Sequence, residues 1–238
     1  MRTVFNKLVL VSVFIGCIQL LYADDARLDS LLQVVENSDS REKVQVLQDV
    51  MRIQFQQLLD DEALKTAEEA LSLAKQYDLE GAQAEIYLFL AEFYSFVEAE
   101  KELQYANLAH QLASEINYYK VETAALNRMA NFFLEENPDT AKYFAQQSIA
   151  ISSGEGISDN QAEAQKILGV YFYHQSLYQK ALEHWQKSLE LYEEVNNQSG
   201  MALLMNNIGV IYRRWGEYKT AIEYYQNALQ IQEQLNNK

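Results

Sequence analysis

The sequence predicts an all-α protein, an α-solenoid of about five stacked helical hairpins, and three observations carry that expectation. First, 238 residues contain 8 Gly and 1 Pro against 16 Tyr and 10 Phe, too few turn formers to punctuate an antiparallel sheet every 8 to 12 residues or so. Second, apolar residues recur with a helical period in paired segments, as in Leu203, Leu204, Ile208, Ile211 and Tyr212, then Ala221, Ile222, Tyr225, Leu229 and Ile231. Third, Gly169, Tyr178, Ala181, Trp185, Leu189 and Asn196-Asn197 return 40 residues later as Gly209, Tyr218, Ala221, Tyr225, Leu229 and Asn236-Asn237, and a fixed spacing of this length marks a stacked array. One such hairpin cannot bury both its faces, so neighbours must share a core. With 49% hydrophobic and 22% charged residues the chain is not globally disordered.

Residues 1–23 read as a cleaved secretory signal peptide: Arg2 and Lys7 precede the apolar run Leu8 to Leu21, and Ala23 stands before Asp24-Asp25. The run is short against the roughly 20 residues that cross a bilayer, so a retained anchor is the weaker alternative, and no later segment is apolar enough to span. Cys17 is the only cysteine, and its loss with the signal leaves no thiol for disulfides or thiolate chemistry. In a second reading Phe14-Ile15-Gly16-Cys17 is a lipoprotein box and Cys17 is the acylated anchor. Cleavage after Ala23 removes two basic residues and no acidic one, so 17 basic and 34 acidic residues remain and the formal charge moves from -15 to -17. That charge repels nucleic acid and anionic lipid, and keeps an exported protein in solution.

The repeat domain then occupies residues 24–238, in units of approximately 24–80, 81–119, 120–158, 159–198 and 199–238. The first carries Phe55, Ala63, Ala67 and Ala70; the second Ala91, Tyr94, Ala106, Ala109 and Asn117. The third carries Ala130, Phe133, Ala141, Ala145 and Ser148, one residue shorter before its second helix. Asn137-Pro138-Asp139 supplies a cap, a helix-starting proline and an acid. In the fourth, Ser158 with Gln161 reads as a capping box. In the last two, small residues at Ala181, Ser188, Ala221 and Ala228 let helices approach, while Phe172, Trp185, Tyr212 and Tyr225 fill the space beside them. Asn196-Asn197, Asn236-Asn237 and Gly81 suit the turns between units.

Leu168-Gly169, Phe172, Ala181, Trp185 and Ser188, and again Ile208-Gly209, Tyr212, Ala221, Tyr225 and Ala228, resemble the small-large-small pattern of the tetratricopeptide repeat. The likeness is strong in the last two units, fair in the second and third, and weak before residue 80. It implies a right-handed superhelix with a concave peptide-binding groove. The family's early Trp is Gln165 and Met205 here, its late Pro is Glu193 and Glu233, and a period near 40 in place of about 34 implies longer helices, as in an extended variant. Arg27 to Leu32, a polar gap and Lys43 to Leu47 are similar to the start of exported repeat arrays in bacterial sensor proteins, where a histidine kinase, cyclase or regulator domain follows; none is present in these 238 residues.

No catalytic residue, metal ligand set or cofactor is expected. No G-x-G-x-x-G or G-x-x-x-x-G-K-[ST] loop occurs. His110, His174 and His184 have no His or Cys partner one turn away, and a zinc site needs three or four ligands; His184, beside Trp185, reads as a packing residue. Asp60-Asp61, Glu68-Glu69, Glu135-Glu136 and Glu193-Glu194 point about 100 degrees apart on a helix, so they read as solvated faces or helix-start charge rather than acid and base pairs. Asn197-Gln198-Ser199 is an acceptor sequon. Most of the tyrosines sit at repeat positions and pack between helices.

Projected on the first helix of each unit, the groove positions that the resemblance implies fall on Asn127, Arg128 and Asn131, then Lys166, Val170, Tyr173 and His174, then Asn206, Asn207, Val210, Arg213 and Arg214. Asn brackets a peptide backbone with a donor and an acceptor, and Arg grips carboxylates in a fork. Four of the 17 remaining basic residues lie there, although Arg213 and Arg214 could equally offset nearby acids. The expected function is a non-catalytic scaffold of the cell envelope, periplasmic or secreted, holding a protein or peptide segment, acidic by charge complementarity, with no nucleic acid or small-molecule substrate. Two alternatives stand beside it: the sensory input region of a longer signalling protein, and a homodimer through the uncovered Ile222, Leu229 and Leu235.

Overall fold

A computed structural model describes residues 27–36 and 40–236; the segment read as a signal peptide, Cys17 and Asn237 lie outside the described residues. Among the described residues there are helices and no strands. They are α1 (27–36), α2 (Ser40–Gln56), α3 (Asp60–Gln76), α4 (Glu80–Tyr94), α5 (Ala99–Glu115), α6 (Tyr119–Glu136), α7 (Pro138–Glu155), α8 (Ser158–His174), α9 (Tyr178–Glu194), α10 (Gln198–Arg214) and α11 (Tyr218–Asn236). From α2 on they pair as helical hairpins, α2 with α3 through α10 with α11. Among the described residues no helix is long and apolar enough to cross a membrane. The chain forms two compact units, one running to Ile86 and the other Tyr87–Leu235, so α4 contributes to both.

In the first unit, Leu28 of α1 packs with Val50 and Ile53 of α2, and half-buried Leu31, Val35 and Val46 close around them. The stripe Ala63, Ala67, Ala70 and Ala74 on α3 is fully buried; its i, i+4, i+7, i+11 spacing keeps four methyl groups on one face, where a neighbouring helix can approach closely. Gln48 donates from Nε2 to Glu85 Oε2 at 3.0 Å. Leu58, in the turn between α2 and α3, is left-handed at φ 61.

The second unit repeats one aromatic contact in every hairpin. Tyr94 stacks on Tyr105 with ring centroids 5.5 Å apart, Phe133 on Phe144 at 6.0 Å, Phe172 on His184 at 5.1 Å and Tyr212 on Tyr224 at 5.5 Å. His184 therefore occupies the place that Tyr or Phe holds in the other three. The second helix of each hairpin also carries small residues, Ala106, Ala109 and Ala113 on α5, Ala141, Ala145 and Ser148 on α7, Ala181 and Ser188 on α9, Ala221 and Ala228 on α11, all buried. The serines leave no unpaired hydroxyl, since Ser148 Oγ donates to the Thr123 carbonyl at 3.2 Å and Ser188 Oγ to that of Ala162 at 2.6 Å.

Glycine is required where a ring lies flat on a helix. A Cβ on Gly169 would strike the Trp185 indole, and one on Gly209 would come within 2.6 Å of the Tyr225 ring. Trp185 is buried, and its Nε1–H donates to the Lys166 carbonyl at 3.1 Å. Around these contacts Leu182 and Leu191 of α9 meet Leu204, Ile208 and Ile211 of α10 in one core.

The caps agree with the sequence in part. Asn137 precedes Pro138 and accepts from the Thr140 N–H at 3.3 Å. Asn197 accepts from the Gly200 N–H at 2.9 Å, while Asn196 takes the left-handed turn position at φ 54. The expected capping box at Ser158 does not form. Gly156 ends α7 at φ 68, Ile157 alone separates it from α8, and Ser158 is already the first helical residue; its hydroxyl reaches Glu194 Oε2 at 3.5 Å, and Gln161 donates to Ser153 Oγ at 2.8 Å. Gly81 is likewise inside α4, and Asp78, at φ 51, makes the turn before it.

Candidate functional site

The candidate residues lie on α6, α8 and α10, the first helices of three successive hairpins, and the structure sorts them into two groups. Those between α6 and α8 hold each other. Asn127, only 3% exposed, donates from Nδ2 to the Asn160 carbonyl at 2.8 Å, and Asn160 Nδ2 answers with 2.7 Å bonds to the Lys120 carbonyl and Thr123 Oγ1. Asn131 donates to Glu163 Oε1 at 3.2 Å, and Lys166 Nζ is 2.7 Å from Glu163 Oε2. The same oxygen accepts from the Tyr192 hydroxyl at 2.8 Å. Arg128 pairs with Glu92 on α4 at 3.2 Å.

Glu163 is thus the centre of a four-residue network. Burial alone would raise its carboxyl; the Lys166 charge and the hydrogen bonds from Lys166, Tyr192 and Asn131 outweigh that and hold it below the usual carboxylate range. Burial, reinforced by the Glu163 charge, pushes the Tyr192 hydroxyl far above its ordinary value. Neither group is poised for proton transfer near neutral pH; together they fasten α8 to its neighbours.

Between α8 and α10 the link is aromatic. Arg214 donates from Nε to the Tyr173 hydroxyl at 2.9 Å, and its guanidinium lies 5.3 Å from the Tyr173 ring centre and 5.4 Å from that of Tyr178. Val170 is half-buried against the core, and Val210 is half-buried on α10.

The second group has no internal hydrogen bond or ion pair among the described residues. It comprises Asn206 and Asn207, half-buried on α10, Arg213, exposed at its last turn, and His174, exposed at the end of α8 with only an edge contact to the Tyr173 ring. Of the candidate residues, Asn127 Nδ2, Arg128, Asn131 and Lys166 are engaged within the fold, although Asn127 Oδ1 is buried without a partner, whereas Asn206, Asn207 and Arg213 on α10 have none among the described residues. The projection onto first helices placed all of these residues but missed Glu163, Asn160 and Tyr192. The Glu163–Lys166 pair was legible as an i, i+3 spacing; the reach of Asn160 and Tyr192 across hairpins was not.

The likeness to known proteins fits this geometry. The Tetratricopeptide repeat family model matches residues 160–234, which covers α8 to α11. No curated protein sequence matches the chain. Among solved structures, BtubC (BKLC) from P. vanneervenii superposes with a TM-score of 0.71 at 16% identity, over 91% of this chain and 93% of that one. Aspartyl phosphate phosphatase F from Bacillus subtilis gives 0.67 at 18%, over 87% of this chain and 56% of its own. A signal transduction ATPase with numerous domains and a tetratricopeptide repeat sensor, from Pyrococcus horikoshii, gives 0.67 at 19%, over 87% and 32%. At these identities the likeness is one of fold.

Proposed function

We propose that this chain, a member of the tetratricopeptide-repeat proteins, is a non-catalytic scaffold that holds a protein or peptide segment along the face of its first helices, with α10 as the principal contact. One observation carries the reading: Asn206 and Arg213, seven residues apart, share a helix face, Asn207 stands about 100 degrees round from Asn206, and among the described residues none of the three spends a donor or acceptor inside the fold. Half-buried amides without partners are costly unless a ligand or water satisfies them. An extended backbone presents the alternating N–H and C=O groups that two asparagines can bracket, and Arg213 adds a fork for a carboxylate.

The test compares the chain with a version carrying Asn206→Ala, Asn207→Ala and Arg213→Ala, each immobilised and exposed to extract of the source cells, with retained proteins identified by mass. A partner retained by the first and lost by the second supports the assignment; equal retention of the same partner by both removes α10 from it. Arg214 is left intact, because its bond to Tyr173 makes its replacement a test of folding as well.

A second reading has its own observation. Tyr218, Ile222 and Leu229 on α11 are 66%, 53% and 54% exposed, whereas Leu182, the counterpart of Ile222 on α9, is 5% exposed under α10. This stripe suits a second copy of the chain. Sedimentation at micromolar concentration giving dimers that Ile222→Glu dissolves supports it, and monomers throughout refute it. Export to the cell envelope is part of the same proposal, motivated by residues 1–23; a mature protein whose first residue is Asp24 would support cleavage, and one starting at Cys17 would support the lipoprotein form. Sensory input is a further use of the same face, for which the sensor array of the Pyrococcus horikoshii protein is a parallel in fold.

A further inference from the structure

The cations of this chain are unevenly placed. Residues 174–184 and 213–219, where α8 turns into α9 and α10 into α11, contain Lys180, Arg213, Arg214 and Lys219 against only Glu183 and Glu217, in a chain of formal charge -15. None of these four basic residues forms an ion pair among the described residues. Lys180 Nζ instead lies 5.4 Å from the Phe172 ring centre, and Arg214 rests on Tyr173 and Tyr178. Together the two segments carry four basic and two acidic side chains, a local excess of positive charge that sits in residues 213–219, on an acidic protein.

Between them runs an open groove of about 540 Å³, walled by Leu177, Tyr178, Lys180 and Glu183 on one side and Trp215 on the other. Trp215 is 40% exposed and Leu177 46% exposed. The indole is held edge-on against Tyr212, ring centroids 5.7 Å apart at 87°, so it is a fixed wall. A fixed Trp with Tyr and Arg beside it, partly open to water and rimmed by charge, is the composition of binding hot spots.

We propose that this groove binds a short acidic peptide segment through one apolar anchor residue. The anchor side chain covers Trp215 and Leu177, and flanking carboxylates meet Lys180 and the guanidinium nitrogens of Arg214 that do not engage Tyr173. Charge decides the class of occupant. The chain as a whole repels an anionic surface such as a membrane, but a short segment feels mainly the charges within the screening length, about 8 to 10 Å at physiological salt, and in these two segments four basic side chains stand against two acidic ones. The inference rests on the reading of the chain as a protein-binding scaffold and adds a contact at the hairpin turns, apart from Asn206 and Asn207 on the helix face.

The test uses the full chain and three fluorescein-labelled synthetic peptides of about twelve residues: one rich in Asp and Glu with a central Leu, one with the acids replaced by Asn and Gln, and one with the Leu replaced by Gly. Anisotropy titration is expected to show saturable binding of the first, with the other two weaker by about tenfold or more. Trp215→Ala and Lys180→Glu are each expected to weaken the first peptide by a similar factor, while Asn206→Ala with Asn207→Ala leaves it unchanged. Lys180 is exposed and its contact inside the fold is the one with the Phe172 ring, so the Lys180→Glu result stands even if Trp215→Ala loosens the fold. The proposal is overturned if the acidic peptide binds no better than its neutral form, or if both groove variants bind it as the unaltered chain does. Loss in the Asn206 and Asn207 variant alone moves the peptide to α10, which overturns the groove and spares the scaffold reading.

Discussion

One substitution made at two glycines should have opposite signs. Gly154→Ala, in the last turn of α7, places a methyl group where nothing lies within 4 Å. The gain is the helical preference of Ala over Gly, about 0.5 to 1 kcal/mol. Gly169→Ala, in α8, gains the same preference but drives its Cβ into the Trp185 ring, with even Cγ only 2.8 Å away. Carbon atoms rest at about 3.5 to 4.0 Å, so the ring must retreat by roughly an ångström. It is 3% exposed and tethered to the Lys166 carbonyl, and overpacking a site of this kind costs about 1 to 3 kcal/mol. The net expectation is a loss of about 1 to 2 kcal/mol against a gain of about half that for Gly154→Ala. For a chain of this size each kcal/mol moves the melting midpoint by about 2 to 4 °C, so thermal unfolding followed by far-ultraviolet circular dichroism should place the two variants on opposite sides of the unaltered chain. Gly169→Ala combined with Trp185→Leu should cost less than the sum of the two single changes, because the smaller side chain makes room for the methyl group. A Gly169→Ala protein as stable as the Gly154→Ala one would refute the reasoning.

Further outcomes follow from the caps, one strained turn and one histidine. Asn137→Ala and Asn197→Ala should each cost about 1 kcal/mol in denaturant unfolding through loss of a bonded helix N-cap, whereas Ser158→Ala, at a helix whose N-cap is Ile157, should lie within about 0.5 kcal/mol of the unaltered chain. Leu58→Gly should raise stability by about 0.5 to 1 kcal/mol, since Leu58 is left-handed at φ 61 and 83% exposed, with little packing to lose; a lower melting midpoint would refute the strain. Burial lowers the His184 pKa, which the Lys180 charge reinforces and the Glu183 charge opposes. With the folded value below the unfolded one of about 6.5, the unfolded state takes up the proton first, and stability is lost as pH falls below about 6.5. His184→Phe, which continues the aromatic stack, should flatten that slope in urea unfolding at pH 7.0, 6.0 and 5.5; an unchanged slope would assign the pH dependence elsewhere.

The sequence by itself determined the helical hairpins, their small and large packing positions and the cap at Asn137. These features depend on residues within a turn or two of each other, so they survive in one dimension. The recurrence of Gly169 and Trp185 as Gly209 and Tyr225 was legible as a repeat, whereas the seating of each ring on its glycine was shown by the structure. Only the tertiary structure decided which polar residues are occupied. Asn127 reads as a groove residue in sequence, but its partner is the Asn160 carbonyl 33 residues away, and Asn131 meets Glu163 across 32. Such bonds form only when two hairpins stack in one register and each side chain takes one rotamer, which no local pattern encodes. The same register leaves Asn206, Asn207 and Arg213 without internal partners, and brings Leu177 and Trp215, 38 positions apart in sequence, to opposite walls of one groove.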